Sequence, residues 1–122
     1  MHPYIHAKKN PNKPALIMAS SGEITTYKEL DERSNQIAHL FRQKGLKIGD
    51  GISIFMENNS RFLEICWAAQ RAGLYFTPIS SKLTAAEVKY IHDDCNSPFL
   101  ISSKYLKNVA NETFQLTKKT KH

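Results

Sequence analysis

No cluster of glycines occurs anywhere in this chain. The five stand apart at positions 22, 45, 49, 51 and 73, and no neighbouring set reproduces GxGxxG or a P-loop. Gly49-Asp50-Gly51 precedes an apolar run that reads as a strand rather than a helix. A loop that closes backbone amides around a phosphate needs its glycines grouped at the head of a helix, so the sequence holds no self-contained phosphate cradle. A GxSxG elbow is also missing, and no Ser or Cys has a recognisable catalytic partner. Cysteine is scarce: Cys66 and Cys95 alone exclude a disulfide scaffold and fit a reducing cytosol. The longest strongly apolar run, 65–69, is far short of a membrane span. The opening MHPYIHAKKN shows no signal-peptide pattern. The expectation is a cytoplasmic protein without a transmembrane segment.

What is present suits one small domain. With 122 residues, 41% hydrophobic and 23% charged, the composition is that of a soluble globular protein able to bury an ordinary core. The net charge of +6 raises nucleic-acid binding, but its distribution argues against it. Residues 1–103 carry 12 basic and 10 acidic groups, and the rest holds five lysines against Glu112. Most of the excess therefore belongs to the polar end, 111–122, and its approaches. A phosphate-tracking face needs basic residues gathered on one element with aromatics between them, and the expectation is no nucleic-acid partner.

Residues 1–14, rich in Pro, Lys and Asn, read as an extended lead-in. Ala15–Met18, a turn at Ser21-Gly22 and Ile24-Thr25 suggest a small β-hairpin. Thr26-Tyr27-Lys28-Glu29 is a capping-box pattern, and Tyr27, Leu30, Ser34, Ile37 and Phe41 form one helical stripe that Gly45 can stop. Gly51–Met56 reads as a strand, and Ser60 can cap a helix to about Ala72 that is apolar on more than one face. Leu74–Ile79 is the next strand, and Thr84 to Glu87 repeats the capping box before a helix to about Asp94. Phe99–Ser102 is a third strand, followed from Ser103 by a weaker, lysine-bearing helix, and the last dozen residues show no convincing period. Strand and helix alternating with short links predicts parallel βαβ crossovers. The expected fold is α/β, with a mostly parallel sheet, flanking helices and a hairpin in front, over residues 15–110.

Few side chains offer chemistry. His92-Asp93-Asp94-Cys95 groups metal-ligating types, but consecutive helical residues point in different directions and a second pair of ligands is missing. No metal site is expected, and His92 can favour the negative end of its helix dipole. His39 reads as an exposed or half-buried helix residue and Trp67 as core. Asn58-Asn59-Ser60 and Ser80-Ser81-Lys82 each follow a strand, the place where ligands collect in open α/β sheets. Lys82 there could meet a phosphate.

Several pieces in order carry a resemblance. They are Thr26-Tyr27-x-x-Leu30, Gly45-x-x-x-Gly49-Asp50 before a strand, an Asn-rich loop, Arg71-Ala72-Gly73 at a helix end, a strand closing with Pro78, and Leu83-Thr84-x-x-Glu87. Over roughly residues 4 to 105 the chain resembles the N-terminal part of AMP-forming acyl-CoA synthetases, in the adenylate-forming superfamily. RAGLYFTPISSKLTAAEVKYI is most similar to the fatty-acid CoA ligase branch. The resemblance implies an N-terminal segment of an enzyme that adenylates a carboxylic, fatty acid with ATP and magnesium and then forms a thioester with coenzyme A. The family's phosphate loop, magnesium-binding pair, ribose aspartate and mobile lysine are not among these residues. No catalytic residue is therefore assigned, and the 122-residue chain alone is expected to bind no cofactor and to show no activity. One position carries over: a basic residue after the Pro-containing strand contacts the coenzyme A phosphates in some relatives. Where the family often has Asn-Pro-Arg, this chain has Ser81 and Lys82, which keeps a point charge but loses the bidentate guanidinium. The alternatives are an aryl-, bile-acid- or amino-acid-activating enzyme, or a non-catalytic βαβ module for a partner protein. Self-association is expected if the apolar helix lacks its normal cover.

Overall fold

The computed structural model describes residues 2–95 and 99–116 and contains two compact units, Met1–Leu46 with Asn59–Ala72, and Lys47–Asn58 with Gly73–His122. The first holds α1 (Pro3–Lys9), the antiparallel hairpin β1 (Pro14–Ile17) and β2 (Ile24–Thr26), α2 (Tyr27–Gln43) and α3 (Ser60–Arg71). The second holds β3 (Gly51–Phe55), β4 (Tyr75–Ile79), α4 (Ala85–Asp94), β5 (Phe99–Ser102), a 3₁₀ turn at Lys104–Leu106 and α5 (Lys107–Leu116). No described helix is long and apolar enough to cross a membrane.

The capping box forms as the sequence predicts. Thr26 Oγ1 accepts from the Glu29 amide at 3.2 Å, and the Glu29 carboxylate accepts from the Thr26 amide at 3.1 Å. These two bonds satisfy donors that a helix start otherwise leaves unpaired. Leu30, Ser34, Ala38 and Phe41 form the buried stripe of α2. At its end Gly45 adopts φ +90°, and the Leu46 amide reaches back to the Phe41 carbonyl at 3.1 Å. Alanines 38, 68 and 69 are buried, so α2 and α3 pack through small residues that let helix backbones approach closely. Ion pairs then fix the pair: Arg33 with the fully buried Glu64 at 3.1 Å, and Arg71 with Asp31.

Residues 3–9 are helical, in contrast to the extended lead-in that their composition suggests. His2 replaces the usual small polar cap: its ring Nδ1 accepts from the Tyr4 amide at 3.1 Å. Pro3 takes the first helical position, where no amide is needed, and His6, Lys8 and Lys9 sit in the last turn. Ring contacts of His2 with Trp67 and of His6 with Tyr27, at 5.1 and 4.9 Å between centroids, hold α1 in its unit. Trp67 is accordingly half-buried against His2 rather than a core residue. At the other end α5 continues to Leu116, into the stretch without clear period, because Thr113 is buried and donates to the Val109 carbonyl at 2.8 Å. The lysines at 118, 119 and 121 lie outside the described residues.

The three strands of the second unit form one parallel sheet in the order β4-β3-β5. Ile52, Ser53, Ile54 and Phe55 are all fully buried, as expected of a central parallel strand covered on both faces. Phe55, Ile79, Val88 and Leu106 form the core of the unit, joined at its margin by Leu83, Ile91 and Leu100. Burying each such side chain contributes about 1.5–3 kcal/mol. Pro78 sits in β4, at the edge of the described sheet, where a missing amide is tolerated.

Candidate functional site

Phe55 lies opposite Ile79 on one side and Ser102 on the other. The three strands therefore end side by side, and the segments after β3, β4 and β5 leave from one edge of the sheet. Open parallel sheets bind ligands beyond such carboxyl ends. The structure thus brings together, within one unit, Glu57 and Asn58, the turn 80–83 with Lys82, and Ser103.

Lys82 is exposed on a turn organised by Ser80. Ser80 Oγ accepts from the Lys82 amide at 3.4 Å, and the Ser80 carbonyl accepts from the Leu83 amide at 3.3 Å. The Leu83 side chain packs on the core beside it. The backbone of Lys82 is therefore anchored, while its ammonium has no ion-pair partner among the described residues.

On the β5 side, the Ser103 hydroxyl donates to a Glu57 carboxylate oxygen, tying the ends of β3 and β5 together. Sequence reasoning passes over this pair. Its only signal is that each residue immediately follows a predicted strand.

Other candidates lie elsewhere. Asn59 leaves the edge and becomes the cap of α3, accepting from the Arg61 amide at 2.8 Å, so the capping role expected of Ser60 falls one residue earlier. His92 is fully buried with ring Nδ1 2.8 Å from Ser53 Oγ. This corrects its reading as a group that favours the negative end of the helix dipole: burial pushes its pKa down, with Asp93 acting in the opposite direction, so the ring is a neutral core hydrogen-bonding group. Cys66 is buried too, which pushes its thiol pKa up and away from nucleophilic use.

The edge can attract an anion through Lys82, and the contact of the Ser103 hydroxyl with the Glu57 carboxylate there ties two strand ends together. Among the described residues no three His, Cys, Asp or Glu side chains could hold a metal ion. The glycines at 22, 45, 49 and 73 adopt positive φ, and Gly49 and Gly73 are joined by a backbone hydrogen bond of 2.8 Å.

Residues 4–122 match the family described as AMP-binding enzyme. A fatty acid–[acyl-carrier-protein] ligase, ScoC, of Streptomyces coeruleorubidus is 32% identical over 95 residues, covering 78% of this chain and 18% of the relative. Bacitracin synthase 2 of Bacillus licheniformis is 31% identical over 100 residues, covering 82% of this chain and 4% of that one. The inhibitor-bound N-terminal domain of FACL13 from Mycobacterium tuberculosis superposes with a TM-score of 0.87 at 22% identity, covering 98% of this chain and 31% of that domain. The chain thus spans less than a fifth of these two relatives and about a third of the FACL13 domain, and its fold is that of part of an adenylate-forming enzyme's N-terminal domain. On the match that runs from residue 4 to residue 122, the chain belongs to the AMP-binding enzyme family.

Proposed function

We propose that this chain is the N-terminal segment of an ATP-dependent fatty-acyl-CoA ligase. In that reaction a carboxylate attacks ATP to release pyrophosphate, and the coenzyme A thiol then displaces AMP from the acyl group. The observation that carries the reading is Lys82, unpaired on an anchored turn at the carboxyl edge of the sheet, in a chain that matches the family throughout. Within the segment Lys82 attracts the coenzyme A phosphates, and the remaining described residues build and hold the scaffold. The two free cysteines support a cytoplasmic setting.

Pyrophosphate release tests the reading. The 122-residue chain is expected to show no acid-dependent release, because its residues include no phosphate cradle. A longer product of the same reading frame, carrying a Ser/Thr/Gly-rich phosphate loop, is expected to release pyrophosphate with a fatty acid and to form its coenzyme A thioester. Acid-dependent turnover by the 122 residues alone would overturn the scaffold role.

A second reading is favoured by the relatives themselves. ScoC is named as a ligase of fatty acid to an acyl-carrier protein. In that reading the activated acid passes to a carrier-protein thiol. Offering coenzyme A and a phosphopantetheinylated carrier side by side separates the two.

Ile48, Tyr75 and Tyr105 are largely exposed, which supports concentration-dependent association of the isolated chain. Light scattering that shows a monomer over a wide concentration range would remove that expectation.

A further inference from the structure

One half-buried imidazole, that of His2, joins α1 to α3 in the first unit. Its Nδ1 accepts from the Tyr4 amide at 3.1 Å, which places the proton of the neutral ring on Nε2. The same ring meets Trp67 of α3 edge-on, with centroids 5.1 Å apart. The groups that face it are cationic or already engaged. Arg71, one turn beyond Trp67, is paired with Asp31 of α2 and lies near Tyr4. Lys8 stands over the Tyr4 ring at 4.9 Å, and His6 faces Tyr27 of α2. Among the described residues no carboxylate forms an ion pair with His2.

We propose that α1 is an acid-released strap: protonation of His2 removes the acceptor that caps the helix and puts a cation at its N-terminus near Arg71, so α1 leaves Trp67 while the rest of the unit stays folded. The chemistry of the cap carries this. A protonated Nδ1 is a donor aimed at the Tyr4 amide, itself a donor, and a positive charge at a helix N-terminus opposes the helix dipole. Ser, Asp or Asn would accept the same bond without titrating near neutrality, whereas histidine titrates there. With seven residues, α1 is well below the roughly 12–15 at which an isolated helix holds in water, so it depends on its cap and its ring contacts. Burial, then Arg71, then the chain's amino terminus lower the proton affinity of the ring. Docking is therefore complete above 6.5 and is lost as pH falls toward the lowered value. The strap is independent of the ligase reading, since it concerns only how α1 is held.

Trp67 is the one tryptophan in the chain, so its fluorescence reports the strap directly. The emission maximum of the 122-residue chain and its quenching by acrylamide are to be followed from pH 8 to pH 5, with far-ultraviolet circular dichroism recorded alongside. The maximum is expected to move to longer wavelength and the quenching constant to rise below pH 6.5, with a loss of helical signal no larger than one short helix. His2→Asn, which caps without titrating, should hold both values constant down to pH 5. His2→Ala should give the exposed values already at pH 8. His92→Gln, which removes the buried titration in the other unit, should leave the Trp67 profile as it is. A flat profile in the unchanged chain, or one that persists in His2→Asn or vanishes in His92→Gln, would overturn the proposal. So would a fall in intensity without any change in maximum or quenching, which is a proton on a ring that stays docked, and so would a change that coincides with loss of the whole helical signal.

Discussion

Ring Nδ1 of His92 on α4 lies 2.8 Å from the hydroxyl of Ser53 at the centre of β3, and both residues are fully buried. A polar pair in such a place must be satisfied internally, since an unpaired group there costs about 1–3 kcal/mol. Burial lowers the pKa of the ring. The unfolded chain therefore binds a proton on this residue at a higher pH than the folded one does. Stability is fully present above the unfolded value of 6.5 and falls as pH drops below it toward the folded value.

Thermal unfolding of the chain should thus show a transition that falls between pH 7.5 and pH 5.5. His92→Gln keeps a hydrogen-bonding group toward Ser53 but cannot titrate, so its profile should be flatter over that interval. His2, whose pKa is also lowered by burial, titrates in both proteins and cancels in the comparison. Parallel profiles would remove His92 as the source. His92→Ala, which leaves a cavity and strands Ser53, should cost about 2–4 kcal/mol at pH 7.5 in denaturant unfolding.

Glu64 provides a second test, in the other unit. Its carboxylate is fully buried and shared between Arg33 and Arg61, each at 3.1 Å. Removing one member of a buried pair strands the other charge, at about 3–5 kcal/mol. Arg33 is a third exposed and Arg61 well over half, so solvent absorbs part of that penalty. Glu64→Ala should cost about 2–3 kcal/mol. Arg33→Ala should cost somewhat less, and Arg61→Ala under about 1 kcal/mol as an ordinary exposed partner. Equilibrium denaturation of the three variants fixes the order, and an Arg61 effect larger than that of Arg33 would contradict this account.

Much of this architecture was readable in the residues, and the misses have physical causes. The capping box at Thr26, the Thr84 cap that accepts from the Glu87 amide and the positive-φ stop at Gly45 are local: each needs only a few consecutive side chains, so the sequence states them directly. The parallel sheet follows from alternation, because β3 to β5 can pair in no other simple way once helices of that length separate them. The lead-in helix was not readable, because a histidine ring acts as its cap and rings from other segments, Trp67 and Tyr27, hold it. His92 belongs to the same class, since its partner Ser53 lies 39 residues away. The place of Lys82 just after a strand was legible. The Glu57–Ser103 bond was not, because it depends on strand order, which periodicity leaves open.

If Lys82 serves the coenzyme A phosphates, its substitution should act on that substrate alone. In a ligase carrying this segment, Lys82→Ala should raise the KM for coenzyme A roughly tenfold, the value of one charge-assisted contact, with the KM for ATP unchanged. Lys82→Arg should restore most of the affinity, because the charge is kept. An unchanged coenzyme A KM in the alanine variant dismisses the assignment, and equal rises for ATP and coenzyme A would point to damage to the fold instead.

Gly73 separates two costs that are often confounded. It adopts φ +73°, and its amide neighbourhood is closed by the Gly49 amide, which donates to its carbonyl at 2.8 Å. A Cβ built there would meet Ile48 Cγ1 at 3.0 Å, whereas one on Gly45, at φ +90°, would meet nothing within 4 Å. Gly45→Ala therefore reads the left-handed backbone penalty alone, about 1–2 kcal/mol. Gly73→Ala adds the contact with Ile48, which is 86% exposed and free to turn outward, so the excess over Gly45→Ala should be small, under about 1 kcal/mol. Shaving the neighbour with Ile48→Ala should erase that excess without affecting Gly45→Ala. If Gly73→Ala instead costs several kcal/mol more and Ile48→Ala does not relieve it, the backbone bond between Gly49 and Gly73, rather than the side chain, must be what the new methyl group disturbs.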